Sequence, residues 1–97
     1  MMPVKKIEII IDALELPAVL KLIDAAGVSG YTVIRDATGK GERGTRAGDE
    51  LSGTFINSYV MTACPPEQVK HVVEALRPIL KRYGGVCLVS DAQWLIH

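Results

Sequence analysis

The spacing of apolar positions changes along the chain, and each change marks an element. From Lys5 to Asp12 isoleucines crowd together (Ile7, Ile9, Ile10, Ile11), which predicts a β-strand. From Leu16 to Ala26 the spacing lengthens. Leu16, Val19, Leu20 and Ile23 fall at i, i+3, i+4 and i+7, the apolar stripe of a helix. Pro17 suits the first turn and Gly27 the position just past the end, although no Ser, Thr, Asp or Asn stands directly before Pro17 to cap it. Gly30 to Arg35 predicts a second strand, with β-favouring Tyr31, Thr32 and Val33 in a row. Thr54 to Cys64 predicts a third, stopped by Pro65-Pro66.

A second helix follows, on the stripe Val69, Val72, Val73, Leu76, Ile79, Leu80 and Tyr83. Pro78 lies inside it and removes a backbone hydrogen bond, at about 3 kcal/mol, so a kink or break is expected near Arg77. Gly84-Gly85 end the segment, Val86 to Ser90 form the fourth strand, and Trp94-Leu95-Ile96 can add a short edge strand. The order β-α-β-β-α-β predicts a ferredoxin-like α+β fold with an antiparallel sheet, in one domain over residues 1–97. Right-handed crossovers put both helices on one sheet face. Yet the strands are apolar on both faces, as in Ile9 and Ile10, Val33 and Ile34, and Tyr59 and Val60. A strand with one wet face alternates apolar and polar. The second face is therefore expected to lie against other copies of the chain in a closed homo-oligomer.

Composition narrows the function. Eleven cations balance eleven acids, for a net charge of zero. Nucleic acid and anionic membrane attract a basic excess, so neither is an expected partner. No apolar run reaches the roughly 18 residues of a membrane span, and Met-Met-Pro-Val-Lys-Lys lacks the apolar stretch of a signal peptide. Cys64 and Cys87 sit in apolar runs and read as small buried hydrophobes of a cytoplasmic protein, rather than as a disulfide or a metal site. His71 and His97 read as solvated, Asp12, Asp36, Asp49 and Glu50 as loop and strand-end acids, and Trp94 as a core or interface residue. No nucleophile–base arrangement stands out, so no enzyme is expected.

The chemistry concentrates between the second and third strands, in a loop over about residues 37–53. Within Thr38 to Gly48 four glycines are interleaved with Lys40, Arg43 and Arg46. Turns of this kind present peptide N–H groups to an anion, and the cations add attraction. A phosphate-binding sensor loop and a long solvated hairpin both remain open at this point. Gly39-Lys40-Gly41-Glu42-Arg43-Gly44 matches G-x-G-x-x-G, but a strand and not a helix follows, which excludes a dinucleotide fold. Gly41 after Lys40 excludes a Walker A loop. Gly84-Gly85 reads as a helix C-cap that can also expose N–H groups to a phosphate.

Lys5-Lys6-Ile7-Glu8-Ile9-Ile10-Ile11, the helix ending Asp24-Ala25-Ala26-Gly27-Val28-Ser29-Gly30, and Tyr31-Thr32-Val33 together resemble the PII signalling proteins. Their opening reads Lys-Lys-Ile-Glu-x-Ile-Ile, and a mobile T-loop follows their second strand. The T-loop here is short and lacks the tyrosine modified in nitrogen-sensing members, and Glu42 falls near the place of the glutamine that holds 2-oxoglutarate. Gly30-Tyr31-Thr32-Val33 followed by Gly-Lys-Gly-x-Arg is similar to the PII-like branch that accompanies bicarbonate transporters or carboxysome genes.

That resemblance implies a homotrimer with an adenine nucleotide in each cleft between subunits, ADP or AMP, with ATP as a further candidate. Gly30, Tyr31 and Thr32 would meet adenine and ribose, with Met61 nearby. Gly39, Lys40 and Gly41, with Arg43 or Arg46, would meet phosphate, and Gly84, Gly85 and Val86 would supply backbone donors. The same Gly39-Lys40-Gly41 base would hold bicarbonate, and the loop would signal to a bicarbonate transporter or carboxysome-associated protein. The rival reading is a trimeric PII-fold protein with a structural or metal-related role and no nucleotide. Other users of this fold fit less well. The segment Asp12 to Pro17 has no glycine to cradle phosphate as in acylphosphatases and no C-x-x-C as in metal chaperones. The first strand has no aromatic residue on which RNA bases could stack.

Overall fold

The structure, a computed structural model, describes residues 1–39 and 56–95. The strands are β1 (Met2–Asp12), β2 (Thr32–Ala37), β3 (Asn57–Cys64) and β4 (Val86–Trp94), and the helices α1 (Leu16–Ala25) and α2 (Val69–Tyr83). Single 3-10 turns, Ala13–Glu15 and Pro66–Gln68, lead into the two helices. The sheet order is β2-β3-β1-β4, with β1 antiparallel to both of its neighbours. This is the ferredoxin-like arrangement that the sequence predicts.

Both helices pack on one sheet face. Ile7, Ile9 and Ile11 of β1 and Val60 of β3 meet Leu16, Val19 and Ile23 of α1 and Val72, Leu76 and Ile79 of α2 in a single core. Alternate residues of a strand point to opposite faces, so Ile7, Ile9 and Ile11 enter this core while Glu8 and Ile10 leave it. Each fully buried aliphatic side chain contributes about 1.5–3 kcal/mol.

The helix ends explain themselves locally. Asp12 accepts the N–H of Leu14 at 2.9 Å and caps the 3-10 turn ahead of α1. The capping signal thus lies before that turn, which is why none stands next to Pro17. Past Ala25 the N–H of Gly27 reaches the Asp24 carbonyl at 3.0 Å, and that of Val28 the Ile23 carbonyl at 3.2 Å. This pair of bonds closes a Schellman motif around Gly27, whose φ is +90°.

Four expectations need correction. β1 begins at Met2 rather than Lys5, and β2 begins at Thr32 rather than Gly30. β4 does not stop at Ser90 with a separate strand beyond it. It runs on to Trp94, opposite Met2: Ser90 and Asp91 favour turns but stay paired with Lys6 and Lys5 of β1, and Lys5 holds Asp91 in an ion pair. Trp94 is accordingly 43% exposed and not a core residue. Finally, α2 is unbroken at Pro78. Pro78 lies on the exposed side, between core residues Leu76 and Ile79, and solvent is available to the carbonyl that its missing N–H leaves unpaired.

Candidate functional site

The sheet face turned away from the helices carries two registered rows. Ile34, Tyr59, Ile10 and Val86 stand opposite one another across the four strands, as do Thr32, Met61, Glu8 and Leu88. Residues paired across neighbouring strands project to the same side. Much of this face is apolar and uncovered: Ile34 is 56% exposed and Leu88 55%. A closed assembly of copies would remove it from water, and a homotrimer of the PII fold fits it. In its middle Tyr59 donates its hydroxyl hydrogen to Glu8 Oε2 at 2.6 Å, and Lys6 Nζ lies 3.8 Å from Oε1. The bond to Glu8, then burial, then the Glu8 charge raise the Tyr59 hydroxyl above its ordinary pKa.

The residues singled out in the sequence fall into two groups. Gly30 and Tyr31 lead into β2, an edge strand, and Thr32 is its first residue. The Gly30 carbonyl accepts the hydroxyl of Thr62, a buried β3 residue, which pins the entry to the strand. Tyr31 is 39% exposed, and Met61 is half-buried directly opposite Thr32. Gly39 stands in the open beyond the end of β2. Lys40, Gly41, Arg43 and Arg46 lie outside the described residues.

Gly84, Gly85 and Val86 form the second group, at the start of β4 on the other edge. Their glycines are required: φ is +82° at Gly84 and +112° at Gly85. The Gly84 N–H closes α2 by donating to the Leu80 carbonyl at 2.8 Å, so the capping role is observed and that hydrogen is engaged. Any Cβ on Gly85 would sit 2.8 Å from the Ile10 carbonyl oxygen, so only glycine fits between α2 and β1. Three inter-strand spacings, about 14 Å, separate the two groups across the sheet, with Tyr59 and Glu8 standing between them.

The sequence reading passed over Arg77 and Lys81. They rim an open groove of about 650 Å³ beside Gly85, floored by Val73, Leu80, Cys87 and Val89. The available signal was two cations four apart at the end of α2, one helical turn from each other. Arg77 also binds Glu74 at 3.1 Å, which holds the Glu74 carboxyl below its usual pKa. Cys64 is buried and Cys87 partly so; burial pushes both thiols up, with the Glu67 charge adding to Cys64. Among the described residues no three His, Cys, Asp or Glu side chains gather to hold a metal. His71 is exposed, and among the described residues no helix is long and apolar enough to cross a membrane.

Comparison with known proteins agrees with this geometry. The family model of the nitrogen regulatory protein P-II matches residues 4–95. No curated protein matches the chain by sequence. Among solved structures, the PII-like protein CPII of Thiomonas intermedia K12, bound to ADP, AMP and bicarbonate, is 32% identical. The match covers 98% of this chain and 96% of that one, with a TM-score of 0.80. The same protein bound to ADP and bicarbonate matches at 33% identity, over 95% and 88% of the two chains, with a TM-score of 0.79. A PII-like protein from Thermus thermophilus, only 21% identical over 96% and 90% of the chains, shares the fold with a TM-score of 0.76. The chain belongs to the family of the nitrogen regulatory protein P-II, and it is a PII-like regulatory protein.

Proposed function

We propose that this protein senses adenine nucleotides, ADP or AMP with ATP as a further candidate, together with bicarbonate, in clefts between the subunits of a homotrimer. The observation that carries the reading is the placement of the two glycine groups on opposite sheet edges, beside an apolar face that needs a partner. One chain presents Gly30, Tyr31, Thr32 and Met61 at its β2 edge; the next presents Gly85 and Val86 at its β4 edge. A second copy brings the two halves together around one ligand. Gly39, Lys40, Gly41, Arg43 and Arg46 supply donors and positive charge to the phosphates, and Gly39, Lys40 and Gly41 hold the bicarbonate. The CPII structures with ADP, AMP and bicarbonate support this choice of ligands.

The nucleotide and the anion bias the T-loop, about residues 37–53, between conformations that a protein partner distinguishes. That partner belongs to inorganic-carbon metabolism, as a bicarbonate transporter or a carboxysome-associated protein. The whole of residues 1–97 acts as one PII-like domain, in the cytoplasm, where its free Cys64 and Cys87 stay reduced. Calorimetric titration with ADP, AMP and ATP, each with and without bicarbonate, tests the reading. Saturable ADP or AMP binding that bicarbonate alters supports it. No heat with any nucleotide would leave the rival, a trimer without nucleotide sensing.

A further inference from the structure

Strand β2 carries an irregularity that the nucleotide reading does not use. Its pairing with β3 runs Thr32 to Met61, Val33 to Val60 and Ile34 to Tyr59, then jumps to Ala37 opposite Asn57. Arg35 and Asp36 therefore share the space opposite Ser58 alone, which is a β-bulge. Asp36 has φ +60°, and no other non-glycine among the described residues has a positive φ. Asp tolerates the left-handed region better than most side chains, and a β-branched residue there is a genuine outlier.

The bulge has a directional consequence. With one residue more on β2 than on β3, Ala37 and not Asp36 faces Asn57, so Ala37 is turned to the side opposite the one an unbroken pairing would give it. The bulge sits three residues before Gly39, at the end of β2 from which the chain leaves the sheet.

We infer that the Asp36 bulge is a positioning element of the nucleotide site. It turns the chain after Ile34 so that the Gly39 peptide faces the phosphates, while adenosine is held by Gly30, Tyr31 and Thr32 ahead of it. Asp36 itself does not touch the ligand. The inference rests on the nucleotide reading, and comparing ADP with adenosine separates the two.

The full-length chain is prepared as wild type, Asp36→Gly, Asp36→Ala and Asp36→Val, and ADP and adenosine affinities are measured by calorimetry. Asp36→Gly keeps the left-handed backbone and binds both ligands as wild type does. Asp36→Val opposes that backbone and loses at least about tenfold in ADP affinity, while adenosine stays within about twofold. Asp36→Ala falls between the two and carries the test if the valine variant does not fold. Wild-type ADP affinity in the alanine and valine variants that fold overturns the inference, as does an equal loss of ADP and adenosine. A wild type that binds neither ligand removes the nucleotide reading and this inference together.

Discussion

Tyr59 on β3 donates its hydroxyl hydrogen to Glu8 Oε2 on β1 at 2.6 Å, diagonally across two paired strands. The two are set among Ile10, Ile34, Met61 and Leu88 on the open sheet face. A carboxylate in such surroundings needs its acceptors filled, because an unpaired one is costly to take from water. The pair therefore gives an otherwise greasy face one directional contact.

Tyr59→Phe removes that contact and is expected to lower stability by at most about 1 kcal/mol in the free chain, where solvent screens the pair. The sign with pH follows from the raised Tyr59 pKa, whose causes are the bond to Glu8, then burial, then the Glu8 charge. A raised folded value means that the contribution is complete below the ordinary value of 10.0 and fades as pH rises through the folded one. Melting curves of wild type and Tyr59→Phe should differ at neutral pH and converge above pH 10.0. A difference that grows with alkali would contradict the bond.

Gly85→Ala is expected to destabilise the fold by about 1–3 kcal/mol, since a φ of +112° strains any L side chain and the new Cβ meets the Ile10 carbonyl oxygen at 2.8 Å. Urea unfolding measures it. Gly30→Ala is the control: a Cβ there meets nothing within 4 Å, and stability should hardly change. Equal losses at both glycines would contradict the close approach at Gly85, because the entropy change of a Gly→Ala replacement favours the folded state.

Lys40→Ala is expected to weaken ADP binding by about 1–3 kcal/mol if its ammonium meets a phosphate. The unfolding free energy of the free protein should not change with it. Unchanged calorimetric affinity would remove Lys40 from the site.

These tests also mark how far the sequence could be read. The isoleucines of β1, the stripe of α1 and the Pro65-Pro66 stop were legible because burial imposes a period on side chains. The homo-oligomer expectation came from the same source, since Ile10 and Ile34 had no helix left to cover them. Gly27 and Gly84 announced helix ends because only glycine enters their backbone regions cheaply. Pro78 misled, because its penalty depends on which side of α2 it occupies, and it occupies the wet one. The Asp36 bulge was illegible: aspartate is common in loops, and nothing local says that one residue of β3 faces two of β2. Arg77 and Lys81 went unnoticed, because nothing in the sequence sets them beside Gly85 as the groove does.

The central claim is that half-sites on opposite sheet edges are completed by a second copy. Gly30→Val should spoil the β2 half while leaving the fold intact, given the open space around Gly30. Val86→Glu should spoil the β4 half by repelling phosphate, at a position 43% exposed in the single chain. The most direct measurement is the ADP-binding capacity of the two variants, alone and after being refolded together in equal amounts, with trimer mass checked by sedimentation. Each alone should bind little. In the mixture about a quarter of the clefts combine two intact halves and should bind ADP with wild-type affinity. A mixed trimer that binds no more than its parents, or a lone wild-type protomer that binds ADP, would contradict the account.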